Sequence, residues 1–278
     1  MVCCVVIPIY KETPDEYELI SLKQCCLILG KYSFIFVTHK ELNCGIYHDI
    51  CNTYHINYKF EYFNSVYFND VLTYNALLLS KFFYKKFTDY EYILLYHLDA
   101  FVFNDELLFW CDKGYDYIGA PFLMLNSSNI MPVFFEFPVI GNGGFSLRNI
   151  NKILQFYNFK IMLYSFFNLF MSFYNNIYNK SFNNILYLLF RIFIVFFKKL
   201  LWLIFTKRNE KSYNEDIIWS KLFGKYGKIP SVNEAIKFSF ENFPEYLFLL
   251  NNENLPFGCH NWNRYYNYLF YKNYINNV

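Results

Sequence analysis

Hydrophobic and polar residues alternate along the first half of the chain in blocks that predict strands and helices in turn. Residues 2–9, 32–38 and 92–98 are apolar runs rich in β-branched and aromatic side chains. Such runs are expected of strands buried on both faces of a parallel sheet. Between the first two runs the spacing is helical, with Pro14 near its start and Gly30 at its end.

The same pattern continues further along the chain. Residues 60–63 predict another strand, and the spacing over 71–87 and 150–157 predicts further helices. Strands and helices that alternate at this rate predict an α/β fold, a mostly parallel, Rossmann-like sheet flanked by helices. We therefore expect a single domain over residues 1–278.

Polar side chains follow three of the predicted strands. Tyr10 and Lys11 follow the first, His39 follows the second, and the run at 92–98 has His97 near its end and Asp99 directly after it. Ligands of open parallel sheets bind at the carboxyl ends of the strands. The three strand ends therefore predict one crevice.

Two further segments have the composition of a binding site. Asn142 lies among three glycines in the run Gly141-Asn142-Gly143-Gly144, which allows positive φ and close backbone approach, so either a ligand or a tight turn is expected there. Glu215 and Asp216 precede an apolar helical run. Acids in a first helical turn are ordinary partners of the helix dipole, but one can also act as a general base. Two adjacent acids allow one structural role and one chemical role.

Asp99 has two possible roles on its spacing alone. A carboxylate at a strand end can bind the divalent cation of a nucleotide diphosphate, or it can cap a helix or bind a ribose. His260 lies in a glycine-containing loop near the C-terminus. A lone histidine is usually a hydrogen-bonded surface or core residue, so His260 becomes a metal ligand only with a partner, for which Asp99 is the candidate.

Composition adds one unusual feature, an aromatic content of 24% that includes 35 Phe and 28 Tyr. Either an A/T-biased coding sequence or a membrane-seeking surface would produce it. The net charge of +2 gives no indication of a nucleic-acid partner. The eight cysteines include no C-x-x-C motif, and the N-terminus lacks a secretory signal, so reduced thiols in the cytoplasm are expected.

Charge is concentrated in residues 160–208, which contain seven basic residues and no acidic residue. The most apolar part, residues 185–205, is long enough for a bilayer span but is interrupted by Arg191, Lys198 and Lys199. A helix in the headgroup layer, a buried hairpin and a true span all remain open, and the first is favoured. We interpret 160–208 as a basic hydrophobic helical insertion that could contact an anionic membrane surface.

Seven motifs occur in order along the chain, at residues 7–11, 74–80, 90–103, 114–121, 141–148, 214–216 and 256–262. Together they resemble a bacterial family of uncharacterised GT-A-type glycosyltransferases, often associated with surface polysaccharide synthesis. The resemblance implies a hexosyltransferase that moves a sugar from a nucleotide-sugar, such as a UDP-sugar, to a hydroxyl of a glycan or lipid-linked acceptor. Such an enzyme would be cytoplasmic or peripheral on the inner face of the plasma membrane.

The resemblance also assigns roles to individual residues. Asp99 matches the last acid of a D-x-D-like motif and His260 the C-terminal histidine that completes a Mn²⁺ or Mg²⁺ site. Asp216 matches the catalytic base, and Glu215 is the second candidate for it. The donor-binding positions are Tyr10, Lys11 and Asn75 for the nucleotide, and Asn142, Gly143 and Gly144 for the donor sugar or the acceptor.

His97 is the departure from that pattern, because it stands where the first acid of the D-x-D motif is expected. It remains a donor-binding candidate, but the metal site then has one carboxylate fewer. A nucleotide-sugar-binding protein without transferase activity is therefore an alternative. Nothing in the sequence separates an inverting from a retaining reaction.

Overall fold

The structure is a computed structural model that describes residues 2–125, 131–136, 140–178 and 214–275. The strands are β1 Cys3–Pro8, β2 Ser33–Thr38, β3 Tyr58–Tyr62, β4 Tyr92–Tyr96, β5 Ala100–Val102, β6 Tyr117–Ile118, β7 Leu123–Leu125, β8 Pro132–Phe134, β9 Phe145–Asn149, β10 Ser239–Phe240 and β11 Gly258–His260. The helices are α1 Glu16–Leu29, α2 Gly45–Thr53, α3 Val71–Leu78, α4 Lys81–Lys85, α5 Leu107–Asp112, α6 Ile150–Phe156, α7 Phe159–Tyr178, α8 Glu215–Tyr226, α9 Val232–Phe238, α10 Pro244–Leu250 and α11 Tyr265–Ile275, with a 3₁₀ turn at Ser65–Phe68.

The main sheet has six strands in the order β3-β2-β1-β4-β9-β6. The first four strands in this order are parallel to one another, whereas β9 runs antiparallel to both β4 and β6. The expected fold class, a mostly parallel sheet flanked by helices, is confirmed.

Side chains of the central strands alternate between two cores, one on each face of the sheet. On one face, Val5 and Leu94 pack with residues of α1, α2 and α5. On the other, Val6 and Leu95 pack with residues of α3, α4, α6, α7 and α8. Both faces of these strands are buried, which explains why β1 and β4 are continuous apolar runs rather than alternating ones.

The predicted helix at 71–87 is two helices, α3 and α4. The Ser80 hydroxyl accepts a hydrogen bond from the amide of Phe83, which caps the start of α4, and donates one to the carbonyl of Leu77. A serine that satisfies backbone groups on both sides favours a break over a continuous helix. The strand predicted at 60–63 covers Tyr58–Tyr62, and β4 ends at Tyr96, so His97 to Asp99 form a turn.

A second, three-stranded sheet in the order β10-β11-β5 lies next to that turn. Strand β5 begins directly after Asp99 and pairs antiparallel with β11, which places His260 opposite Ala100. Helix α1 holds β5 from the other side, since Ser21 and Gln24 donate to carbonyls of that strand. This pairing brings a residue from the end of the chain to the carboxyl end of β4.

Helix α7 contains the first part of the basic segment 160–208 and packs against α3. Ser165 donates to the carbonyl of Ala76 over 2.7 Å, and Ser172 donates to the carboxylate of Asp70. Both serines are buried, as is Ile161. The stretch 185–205 lies outside the described residues, so the three interpretations of it stay predictions. Within the described ranges, no helix has the length and hydropathy needed to cross a bilayer.

We expect the packing of α7 on α3 to show in a matched pair of substitutions. Ser165→Asp places an unpaired charge in the buried contact and should lower the free energy of unfolding by more than about 3 kcal/mol. Met162→Asp, on the exposed side of the same helix, should change it by less than about 1 kcal/mol. Urea unfolding of the two variants measures both values, and equal losses would contradict this packing.

Candidate active site and metal centre

A cleft of about 510 Å³ opens at the carboxyl ends of β1 and β4. Its lining includes Tyr10, Lys11, His97 and Asp99, so two of the three predicted strand ends meet there. The lining does not include His39, at the end of β2. Much of the remaining wall comes from the start of α1, from α2, from the segment before α3 and the first residues of that helix, and from the loop before α11. Its lining residues are Asp15, Glu18, Tyr47, Phe68, Asn69, Asp70, Val71, Tyr74 and Asn263.

Two predicted nucleotide contacts lie in the cleft wall. Tyr10 is 57% exposed, so its ring is available to a ligand. The ammonium of Lys11 lies 2.8 Å from Glu18 and 3.2 Å from Asp15. These two carboxylates already compensate the charge of Lys11.

Three side chains next to the cleft, those of His97, Asp99 and His260, form a group able to hold a metal ion, which we call the metal-binding group. One ligand atom each from His97, Asp99 and His260 lies within 4.8 Å of the others. His97 and Asp99 come from the turn after β4, and His260 ends β11. The predicted pair of Asp99 and His260 is therefore brought together, and His97 joins it.

Each of the two imidazoles has a hydrogen-bonding partner at one ring nitrogen. The Tyr74 hydroxyl lies 2.8 Å from Nε2 of His97, and a carboxylate oxygen of Glu241 lies 3.3 Å from Nδ1 of His260. The amide of Asn261 donates to that same Glu241 oxygen. Partners of this kind orient metal-ligating histidines and leave the opposite ring nitrogen for the ion.

The residues present fit a divalent cation. Nε2 of His260 is buried, lies 3.1 Å from Oδ1 of Asp99, and has no partner with hydrogen-bond geometry among the residues that the structure describes. Two neighbouring ligands of one octahedral ion at about 2.1 Å would lie about 3 Å apart. Histidine in place of a first acid at position 97 would supply an imidazole nitrogen to such an ion.

The pKa values of the two histidines are shifted in opposite directions. Burial lowers the pKa of His97 to about 4, which leaves it neutral at pH 7. Burial also acts against charge on His260, but the carboxylates of Asp99 and Glu241 outweigh it and raise the pKa of His260 to about 10. Burial by itself would raise the pKa of Asp99, but the nearby imidazole of His260 holds it well below its usual range.

The segment Gly141-Asn142-Gly143-Gly144, which we call the glycine loop, has side chains of other elements packed directly against its backbone. A Cβ atom at Gly144 would lie 2.0 Å from Nε2 of His260, and one at Gly143 would lie 2.5 Å from a carboxylate oxygen of Glu215. The Gly144 carbonyl also accepts from the His97 amide. Gly141 has φ +124°, and the side chain of Asn142 accepts from the amide of Gly144 inside the loop. Gly143 and Gly144 thus lie between the metal-binding group and the start of α8.

The two acids of α8 have different surroundings. Glu215 is buried and forms a two-pronged ion pair with the equally buried Arg148, at 2.9 and 3.0 Å. Asp216 accepts from the amide of Gly143 at 3.3 Å and from that of Ile217 at 2.7 Å. Burial, and next the charge of Glu215, raises the pKa of Asp216 to about 7. A carboxylate with that pKa can exchange a proton near neutral pH.

Asn75 is placed away from the cleft. Its side chain is buried and accepts from the amide of Glu215 over 3.2 Å, so it caps the first turn of α8. The site residues predicted from the sequence did not include Arg148, Tyr74 or Glu241. Arg148 and Tyr74 lie within the ordered motifs at 141–148 and 74–80, and this position could have marked them as site residues. Glu241 lies outside these motifs, so no sequence pattern marks it.

Comparison with known proteins gives one family match, to the family described as protein of unknown function (DUF5672), over residues 57–260. No curated protein sequence is significantly similar to the chain.

The solved structures that match the chain are distant from it in sequence. Core-mannan synthase A of Aspergillus fumigatus, in its Mn/GDP form, is 14% identical with a TM-score of 0.41, over 59% of this chain and 63% of that one. The glycosyltransferase GlyE of Streptococcus pneumoniae is 12% identical with a TM-score of 0.46, over 94% and 54%. Mouse xyloside xylosyltransferase 1 is 8% identical with a TM-score of 0.48, over 94% and 98%. The chain thus spans less than two thirds of the first two proteins, and at these values no activity is transferred from any of the three.

We expect the metal-binding group to bind Mn²⁺ with all three side chains. His97→Ala and His260→Ala should each weaken Mn²⁺ binding at least about tenfold, because each removes one nitrogen ligand. His48→Ala, in α2 and outside the group, is the matched control and should bind Mn²⁺ like the unmodified protein. Calorimetric titration measures the affinities, and Mn²⁺ binding that is unaffected by either histidine change would contradict the assignment.

Proposed function

The chain belongs to the DUF5672 family, and we propose that it is a glycosyltransferase that uses a nucleotide-sugar donor. The observation that carries the proposal is the position of the glycine loop. Gly144 abuts His260 of the metal-binding group, and Gly143 binds the carboxylate of Asp216. Two adjacent residues of one loop thus contact the metal-binding group and the candidate base.

These two elements match the chemical needs of the transfer. A divalent cation held by His97, Asp99 and His260 would neutralise the diphosphate of the leaving group. Asp216 takes the proton of the acceptor hydroxyl as the new glycosidic bond forms. Glu215 is committed to Arg148, which supports Asp216 as the chemical member of the acidic pair.

The cleft is the site we assign to the nucleotide. Tyr10 offers an exposed ring, and Asn69 and Asn263 offer amide groups that can hydrogen-bond a base or a ribose. A UDP-sugar as donor and a glycan or lipid-linked hydroxyl as acceptor, in surface polysaccharide synthesis, are the finer parts of the proposal. The anionic membrane surface proposed for 160–208 would fit a lipid-linked acceptor.

The role of Asp216 depends on stereochemistry. An inverting transfer requires a base on the acceptor hydroxyl, and Asp216 fills that role. In a retaining transfer Asp216 would orient the substrate instead.

Donor hydrolysis with a panel of nucleotide-sugars tests the proposal. Asp216→Asn should lower kcat by about 10²- to 10⁴-fold, because the amide cannot accept the proton, and should leave donor binding intact. Asp99→Ala should abolish turnover with the loss of a metal ligand. Asp112→Asn, an exposed acid at the end of α5, is the control and should turn over normally. Normal turnover in the Asp99 and Asp216 variants would refute the assignment, and donor binding without turnover by the unmodified protein would indicate the binding-protein alternative.

The raised pKa of Asp216 predicts the pH dependence of the reaction. A base must be deprotonated to act, and the pKa of Asp216 is about 7, so kcat/KM should rise with pH through about 7 and then level off. Initial rates from about pH 5 to about pH 9 measure this profile. A rate that is flat below about pH 7 would show that Asp216 does not serve as the base.

A further inference from the structure

Arg148 is a fully buried cation in β9 whose hydrogen bonds converge on the start of α8 and on the glycine loop. It makes five, as many as the N–H groups of a guanidinium allow. Nε donates to Ser146, Nη1 to the hydroxyl of Tyr84 and to Glu215, and Nη2 to Glu215 and to the carbonyl of Gly143. The distances lie between 2.9 and 3.3 Å.

Two of these partners flank Asp216. Glu215 precedes it in the chain, and Gly143, whose carbonyl binds Arg148, donates its amide to the Asp216 carboxylate. One guanidinium therefore holds the segment that carries Asp216 and the loop that binds it. The cap from Asn75 to the amide of Glu215 fixes the same turn from a third side.

We propose that Arg148 and Glu215 are positioning residues for Asp216, and that their ion pair locks the first turn of α8 against the glycine loop. The proposal rests on the assignment of Asp216 as the base. It goes beyond that assignment because neither side chain of the pair needs to touch the substrate.

Stability alone does not account for this arrangement. A buried ion pair is weak evidence for stability, since a well-packed apolar pair of similar volume often serves as well. The pair does, however, make directed hydrogen bonds to the glycine loop and lie at the start of α8. These two segments approach so closely that a Cβ at Gly143 would overlap the carboxylate of Glu215. Holding such a geometry is the contribution that a positioning residue makes to a reaction.

The pair also sets the charge around Asp216. Three charged groups face it: Glu215 on its own helix, Arg148 on β9, and Glu241 between β10 and α10. Glu215 and Glu241 raise the pKa of Asp216, whereas Arg148 lowers it. Removing the charge of Glu215 while Arg148 remains should therefore lower the pKa of Asp216 below about 7.

Two variants of the full chain test the proposal, Glu215→Gln and Arg148→Lys. Glu215→Gln keeps the size and one acceptor oxygen but removes the charge. Arg148→Lys keeps the charge but loses the two-pronged contact. Ile153→Val, a buried change in α6 outside the site, controls for lost stability. The readouts are kcat and KM for the donor, and the ¹³C NMR titration of the Asp216 carboxyl carbon, assigned with Asp216→Asn.

We expect both variants to lower kcat at least about tenfold with KM for the donor nearly unchanged, as for a misplaced base. Glu215→Gln should also move the titration of Asp216 to lower pH, an effect that loss of stability in Ile153→Val does not produce. Folded variants with unchanged kcat and an unchanged titration would overturn the proposal. If Glu215→Gln does not fold, wild-type kcat in Arg148→Lys overturns it as well.

The NMR titration needs no turnover, so it separates the two proposals. If the unmodified protein hydrolyses no donor but the titration still moves in Glu215→Gln, the proposed function fails and the control of Asp216 by the pair stands. If turnover is normal and neither readout responds to the variants, the glycosyltransferase proposal stands and the positioning role fails.

Discussion

The candidate site depends on two positions where no side chain fits. At Gly144 a Cβ would overlap the imidazole of His260, and at Gly143 it would overlap the carboxylate of Glu215. Because both residues lack one, strand β9 can begin directly between the metal-binding group and the acidic start of α8. The backbone of these residues then makes the connecting hydrogen bonds, from the amide of His97 and to the carboxylate of Asp216. Any side chain at either position would separate the two halves of the site.

Two of the buried charged groups in this site lie next to groups of opposite charge. Arg148 pairs with Glu215, and His260 lies between Asp99 and Glu241. Asp216 is left without an ion-pair partner among the described residues and receives only backbone N–H groups. Burial and the charge of Glu215 raise the pKa of Asp216, whereas the imidazole of His260 holds the pKa of Asp99 well below its usual range. Two carboxylates near the same loop thus have pKa values shifted in opposite directions, which suits them to different chemistry.

Helix α3 connects the site to the basic segment. Its residues Tyr74 and Asn75 support His97 and Glu215 respectively, so the helix contacts both halves of the site. Ser172 of α7 donates to its N-cap residue Asp70, and Ser165 of α7 donates to its residue Ala76. The start of the segment 160–208 is therefore part of the support of the site, which its composition alone did not indicate.

The sequence by itself determined the fold class and most of the candidate site. Continuous apolar runs and helical spacing specified the sheet, because a strand buried on both faces carries apolar side chains at nearly every position. The ordered motifs pointed to Asp99, Asp216 and His260 as candidate site residues. Only the tertiary structure decided which groups meet. The pairing of β5 with β11 placed His260 beside the turn that holds His97 and Asp99. The approach of α8 to β9 paired Glu215 with Arg148, and the side chain of Asn75 caps α8. Such contacts join residues far apart in the chain, and local residue patterns carry no information on their distances.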